Sequence, residues 1–257
     1  MFGQKKQTAW FFDSAVHLEA VSRLLYLIEV GEPFGVICGP DGSGRTRILT
    51  RLREEIERTG KFVVSLNVSG LDENAALAEV TSAVSSSVRR GMARHELVSV
   101  LRDEMAGRMH CGVHTVLLID DLHRAQNDLE SFLRVMAALN AGCNSGGHGK
   151  LTVVVTSDRP LANGLSMESL LQIRLSPLDA VESSNFVRSL VRRHNIPAAC
   201  LDDSAVRAIY DLSCGNAARM SRVCALLAVL HETSPETPLT PEAIAAMVTE
   251  LSPRAVA

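Results

Sequence analysis

The stretch Gly39–Thr46, Gly-Pro-Asp-Gly-Ser-Gly-Arg-Thr, constrains the fold of this chain more than any other. An apolar run, 34–38, precedes it, and an amphipathic segment that begins at Arg47 follows it. This order predicts a strand, a glycine-rich turn and a helix. Glycines let the backbone turn tightly and bring several N–H groups close to one anion, and the start of a helix adds further N–H groups and the positive end of its dipole. The stretch therefore predicts an anion site between a strand and a helix.

The spacing of this loop fits the phosphate-binding pattern G-x-x-x-x-G-K-[ST] at every fixed position but one. Thr46 occupies the position whose hydroxyl binds magnesium, and Arg45 replaces the lysine that reaches the β- and γ-phosphates. A guanidinium is a wide planar fork, so the two cations are not equivalent there. A glycine-rich loop by itself is often only a turn. If it does bind a nucleotide, the contacts are predicted to come from Gly39, Pro40, Asp41, Gly42, Ser43, Gly44, Arg45, Thr46 and Arg47.

A second motif follows later in the chain, where the apolar run 115–119 ends in Asp120 and Asp121. An unbroken apolar run predicts a parallel strand buried on both faces, and open α/β sheets bind ligands just beyond the carboxyl ends of their strands. The position predicts that Asp120 holds Mg²⁺ through water and that Asp121 polarises the attacking water. The alternative is a helix-capping acid beside a solvated one. Together the two motifs favour nucleotide binding.

The composition is that of an ordinary globular protein and narrows the function classes. A net charge of −3 gives no general attraction to nucleic acid or to an anionic membrane. No apolar run is long enough to predict a transmembrane segment, and the apolar patch near the N-terminus is too short for a signal peptide. The six cysteines show no C-x-x-C spacing, which favours reduced thiols and a cytoplasmic location.

The alternation of strands and helices predicts a five-stranded parallel sheet with right-handed crossovers. The strands are predicted at 34–38, 62–68, 115–120, 151–158 and 170–175. After Pro177 the pattern is helical only, with helices predicted at 180–194, 202–213, 216–231 and 241–251. These patterns predict a nucleotide-binding α/β domain at 1–177 and a helical domain at 178–257.

Taken as a set, the motifs of residues 10–250 resemble those of the AAA+ P-loop ATPases, most closely the ExeA or general secretion pathway A type within the origin-recognition and DEAH-like AAA domains. Besides the loop and the acids, they are Phe-Asp-Ser at 12–14 with His17, Thr-Ser at 156–157, Arg-Leu-Ser-Pro-Leu at 174–178 and Gly-Asn-Ala-Ala-Arg at 215–219. The resemblance implies a RecA-like core with a C-terminal helical lid. It also implies ATP and Mg²⁺ at their junction, often at a subunit interface, and hence a homo-oligomer or a protein partner.

The resemblance also implies roles for individual residues. Thr156, or its neighbour Ser157, would help to orient the hydrolytic water, although either hydroxyl could simply cap a strand end. Arg219 would reach the γ-phosphate from the lid, with a surface arginine as the alternative. Asp121 is one methylene shorter than the usual glutamate, and no clear arginine finger lies between 156 and 175.

The sequence leaves three functions open. The first is an ATPase that drives or gates a conformational change in a partner assembly. The second is a nucleotide-gated interaction module with negligible hydrolysis, which Arg45 and Asp121 favour. The third is a DNA-handling protein of the transposition or origin type, for which basic side chains would contact phosphates, although such helix faces are more often only solvated. The candidate residues for DNA are Arg89, Arg90, Arg94, Arg188, Arg192, Arg193 and His194.

Overall fold

The computed structural model describes residues 10–126, 130–143, 150–161, 170–197, 200–234 and 239–251. The helices are α1 (Ala15–Val30), α2 (Arg45–Arg58), α3 (Glu73–Val84), α4 (Arg94–His110), α5 (Glu130–Cys143), α6 (Ala180–Arg193), α7 (Asp203–Ser213), α8 (Ala217–Thr233) and α9 (Pro241–Leu251). The strands are β1 (Phe34–Cys38), β2 (Phe62–Asn67), β3 (Thr115–Asp120), β4 (Leu151–Ser157) and β5 (Leu170–Arg174). A 3₁₀ turn, Leu122–Arg124, follows β3.

The five strands form one sheet in the order β2-β3-β4-β1-β5, and every neighbouring pair is parallel. Because every pair is parallel, the carboxyl ends of all five strands lie at the same edge of the sheet. The predicted α/β class, the parallel five-stranded sheet and the helical C-terminal region are confirmed. The segment 140–150 is rich in glycine and asparagine, which is typical of a loop, but α5 extends through it as far as Cys143; residues 144–149 lie outside the described residues.

The sheet is apolar on both faces because helices cover both of them. Successive side chains of a strand point to opposite faces. Leu117 and Ile119 of β3 therefore pack into one core cluster, and Val116 and Leu118 pack into the other. This two-sided burial explains why β3 reads as an unbroken apolar run rather than an alternating one.

The chain divides into two compact units. One contains Met1–Pro40 and Arg45–Leu175, and the other contains Asp41–Gly44 and Ser176–Ala257. The second unit is helical, and its buried side chains include Phe186, Ile209 and Leu227. The tip of the glycine-rich loop thus packs with the helical unit, although it lies between β1 and α2 in the sequence.

Every helix in the described ranges is too short or too polar to cross a membrane.

His114 lies immediately before β3 and is held there as a neutral side chain. The hydroxyl of Thr152 donates to the carbonyl of Glu32 at 2.9 Å, so it accepts the Nε2–H of His114 at 3.0 Å. Burial is the main cause that lowers the pKa of His114 to about 4; the charges of Lys61 and Lys150 lower it further, and Glu29 opposes them.

The stability of the protein should therefore fall when the pH is lowered from about 6.5 to about 4. In this window the unfolded chain takes up a proton at His114 that the folded chain excludes, so protonation favours unfolding. Urea unfolding measured across this range should show a shallower loss for His114→Gln than for the wild type. The exposed His95→Gln serves as the control. Identical pH slopes for His114→Gln and the wild type would contradict the assignment.

Candidate functional site

Both sequence motifs end at the same edge of the sheet. The parallel register places Asn67 beside Asp120 and Cys38 beside Ser157. The glycine-rich loop starts at this edge, and the N–H of Gly39 donates to the carbonyl of Ser157 at 3.2 Å. The carboxyl ends of β1, β3 and β4 therefore bring the loop and the acidic pair to one place, as expected for an open α/β sheet.

The carboxylate of Asp120 is buried, with 7% of its residue surface exposed, and it is hydrogen-bonded. The hydroxyl of Thr156 donates to its Oδ1 at 2.5 Å, and the backbone N–H of Asp121 donates to the same atom at 3.1 Å. No hydrogen bond from a described residue reaches Oδ2. A buried carboxylate is stable only when donors compensate its lost hydration. Here the donors leave one oxygen available to a ligand.

Asp121 has a left-handed backbone, with φ 58° and ψ 41°. This conformation is uncommon for a residue other than glycine, although aspartate tolerates it better than most. Two contacts hold it in place. Its N–H donates to the hydroxyl of Thr156 at 2.9 Å, and its Oδ2 accepts from the side-chain amide of Asn67 at 3.2 Å. Sequence reasoning missed Asn67, and the available signal was a polar residue at the carboxyl end of the strand that precedes β3.

Arg45 connects the two motifs within the sheet unit. Its guanidinium is buried, with 6% of the side-chain surface exposed, and Nη1 donates to the carbonyl of Gly39 at 2.6 Å. Nη2 lies 3.8 Å from Oδ1 of Asp121 and 3.5 Å from Nε2 of His123. Because the group is buried, solvent screens the attraction between Arg45 and Asp121 only weakly. His123 belongs to the 3₁₀ turn that follows β3, and this turn therefore contacts Arg45 as well.

The tip of the loop depends on glycine. Gly42 and Gly44 have positive φ angles of 82° and 98°. A Cβ on Gly42 would lie 2.5 Å from Oδ1 of Asn216 and 2.7 Å from Cβ of Ala218. The side-chain amide of Asn216 donates to the carbonyl of Asp41 at 2.7 Å, and the backbone N–H of Ala218 donates to the carbonyl of Gly42 at 3.2 Å. The loop tip therefore sits directly against the start of α8.

Five predicted site residues are exposed, namely Pro40 and Asp41 in the loop and Thr46, Arg47 and Arg219 in helices. Thr46 and Arg47 lie in the first turn of α2, and Arg219 lies in the first turn of α8. Neither guanidinium forms an ion pair with a described residue. The structure gives no contact that joins Thr46 to Asp120, so the shared magnesium role of these two residues stays a prediction.

Some of the basic residues proposed for DNA have acidic partners. Arg94 pairs with Glu73, and Arg188 pairs with Asp203. Arg89 and Arg90 are exposed in the segment between α3 and α4. Each ion pair is partly exposed, so a DNA phosphate would replace the acidic partner at little cost in free energy. The pairs therefore neither support nor exclude DNA binding.

The comparison with protein families now gives the class. A family model described as an AAA domain matches residues 28–159, just over half of the chain, and contains the loop and the acidic strand end. The chain belongs to this family and is an AAA+ P-loop ATPase by family membership. Members of the family generally hydrolyse ATP. A comparison with curated protein sequences gave no significant match.

Several solved structures have the same fold. Cdc6p from Pyrobaculum aerophilum has 16% sequence identity and a TM-score of 0.64, with 90% of this chain and 65% of that chain covered. A point variant of RuvB from Thermotoga maritima has 14% identity and a TM-score of 0.59, covering 93% and 70%. AMPPCP-bound DnaA from Aquifex aeolicus has 15% identity and a TM-score of 0.54, covering 86% and 64%. The chain spans less than two thirds of the Cdc6p and DnaA chains, and at these identities the likeness shows the fold alone.

Replacing Thr156 by valine should lower the free energy of unfolding by about 1–3 kcal/mol, because Asp120 would lose its hydroxyl donor in a buried site. Thr156→Ser keeps the hydroxyl and should lose less. Thr81 is a matched control, since its hydroxyl is also buried but donates to the carbonyl of Leu77 within α3. Urea unfolding of the three variants tests this, and a loss for Thr156→Val no larger than that for Thr81→Val would contradict it.

Proposed function

We propose that this protein binds ATP with Mg²⁺ through the loop 39–47 and the strand end 120–121. We propose further that it hydrolyses ATP slowly to drive or gate a conformational change in a partner assembly. The observation that carries the proposal is the buried contact of Arg45 with both Gly39 and Asp121. This contact joins the phosphate-loop cation to the acid proposed to act on water. Family membership supports the same interpretation.

The donor atoms fit magnesium. Mg²⁺ prefers oxygen ligands and usually keeps several waters. Oδ2 of Asp120 and the hydroxyl of Thr46 are oxygen donors at the end of β3 and the start of α2. When bound, the ion would neutralise charge on the phosphate oxygens. The Thr156 and Asp121 donors on Oδ1 would fix the orientation of the Asp120 carboxylate.

In this proposal the remaining residues act by position and charge. Asp121 orients the attacking water, Asn67 holds its carboxylate, and Thr156 fixes its backbone. Arg219 approaches the phosphates from the first turn of α8. Arg45 attracts phosphate, but its guanidinium also faces Asp121 at 3.8 Å and compensates part of the charge with which that carboxylate would act on water. Hydrolysis should therefore be slow, and the same contact favours the second candidate function, a nucleotide-gated module with negligible turnover.

The partners and the cellular role are also proposals. A homo-oligomer or a protein partner follows from the family resemblance, as does the ExeA-like subgroup, which the comparisons do not single out. A cytoplasmic location stays a prediction from the cysteine pattern. DNA handling is kept as the alternative through Arg89, Arg90 and the other basic residues. Such binding would weaken steeply with salt because phosphate contacts release counterions.

Phosphate release with saturating Mg-ATP tests the proposed reaction. Asp121→Asn should lower the turnover rate on the order of 100-fold or more, because it removes the carboxylate that acts on water. Arg45→Lys should raise turnover roughly three- to tenfold, since a compact ammonium releases Asp121 from a buried pairing. Arg53→Lys is the matched control, because Arg53 is an exposed arginine of the same helix that lies outside the loop and pairs with Glu57, and it should change little.

The outcomes separate the two candidates. Turnover in the wild type that Asp121→Asn removes supports the ATPase. Mg-dependent ATP binding without turnover, together with turnover in Arg45→Lys, supports the gated module. A wild-type chain that binds no ATP with or without Mg²⁺ contradicts both.

A further inference from the structure

The start of α8 makes two hydrogen bonds to consecutive carbonyl groups of the phosphate loop. The side-chain amide of Asn216 donates to the Asp41 carbonyl at 2.7 Å, and the N–H of Ala218 donates to the Gly42 carbonyl at 3.2 Å. Ala218 is the second residue of α8, so its N–H has no partner within the helix. The helix therefore uses one of its unsatisfied donors on the loop.

Asn216 has two separate functions in this arrangement. Its Oδ1 accepts the N–H of Arg219 at 3.0 Å, which caps α8, while its Nδ2 donates to Asp41. Aspartate and serine cap helices as well as asparagine does. Only an amide, however, carries an acceptor and a separate pair of donors on one short side chain. The cap alone does not explain why asparagine stands here, whereas the cap and the loop contact together do.

These two bonds fix the direction of the loop amides. In a trans peptide the C=O of one residue and the N–H of the next point in opposite directions. The carbonyls of Asp41 and Gly42 point toward α8, so the N–H groups of Gly42 and Ser43 point away from it. Consecutive N–H groups on one side of a turn form a concave anion site. The positive φ of Gly42, 82°, belongs to this turn.

We infer that Asn216 is a positioning residue for triphosphate binding, which acts by turning the peptide groups 41–42 and 42–43 so that their N–H groups face the phosphates. The inference rests on the proposed ATP site. It assigns to the N-terminus of α8 a role that is independent of the Arg219 side chain. The ligand concerned is the phosphate chain and not the nucleoside.

The test separates the loop contact from the helix cap. Asn216→Ser keeps an oxygen that caps α8, but the serine hydroxyl is too short to reach the Asp41 carbonyl. Asp202→Ser is the control: it replaces the N-cap residue of α7, in the same unit, and Asp202 does not contact the loop. Competition against a fluorescent ATP analogue gives affinities for ATP, inorganic tripolyphosphate and adenosine. For Asn216→Ser we expect a roughly three- to tenfold loss for ATP and tripolyphosphate. Adenosine should be unaffected, and Asp202→Ser should bind all three ligands like the wild type.

A second pair of variants examines the other hydrogen bond. Ala218→Pro removes the N–H that contacts Gly42, and Ala217→Pro removes an N–H at the first helical position, where proline is well tolerated. Ala218→Pro should weaken tripolyphosphate binding and Ala217→Pro should not. Circular dichroism melting confirms that each variant is folded.

The results distinguish this inference from the proposed function. A wild-type chain that binds neither ATP nor tripolyphosphate overturns the proposed function. If the wild type binds both, equal affinities in Asn216→Ser overturn the positioning role. Equal losses for adenosine and tripolyphosphate also overturn it, because a general disturbance of the fold would weaken both ligands alike.

Discussion

The burial of the Asp120 carboxylate constrains the rest of the site. Asp120 is the last residue of β3, a strand that is buried over its whole length. Burying a carboxylate there costs free energy unless hydrogen-bond donors surround it. Thr156 on the adjacent strand and the N–H of Asp121 supply those donors. The first donor requires a hydroxyl side chain near the carboxyl end of β4. The second comes from Asp121, whose backbone lies in the left-handed region. One buried carboxylate thus accepts hydrogen bonds from groups at the ends of β3 and β4.

The glycine-rich loop forms hydrogen bonds both at its first residue and at its tip. Its first residue, Gly39, bonds to β4 through its N–H and to Arg45 through its carbonyl. Its tip bonds to Asn216 and Ala218 at the start of α8. A loop of this kind has little conformational freedom left to lose when it binds an anion. Preorganisation of that sort increases affinity because the loop is already ordered by folding.

The sequence was sufficient for the sheet but not for the contacts around the acids. The strands were predictable because burial on both faces produces unbroken apolar runs, as at 115–119. The loop was predictable because its glycines are spaced for a turn. The contact of Asn67 with Asp121 was not predictable, because it follows only from the register of β2 with β3. Asn216 reads in the sequence as a helix cap, and its bond to Asp41 joins residues far apart in the chain. Such partners depend on tertiary structure, which local patterns do not encode.

The two departures from the usual P-loop ATPase pattern are in contact with each other. Arg45 stands where the pattern has lysine, and Asp121 stands where the resemblance leads us to expect glutamate. Their side chains are 3.8 Å apart in a buried setting. A lysine ammonium is a compact point charge, whereas a guanidinium fork can bond to the Gly39 carbonyl and face a carboxylate at the same time. The shorter acid and the wider cation therefore form one unit, and a change at either position alters the charge that the other presents to a phosphate.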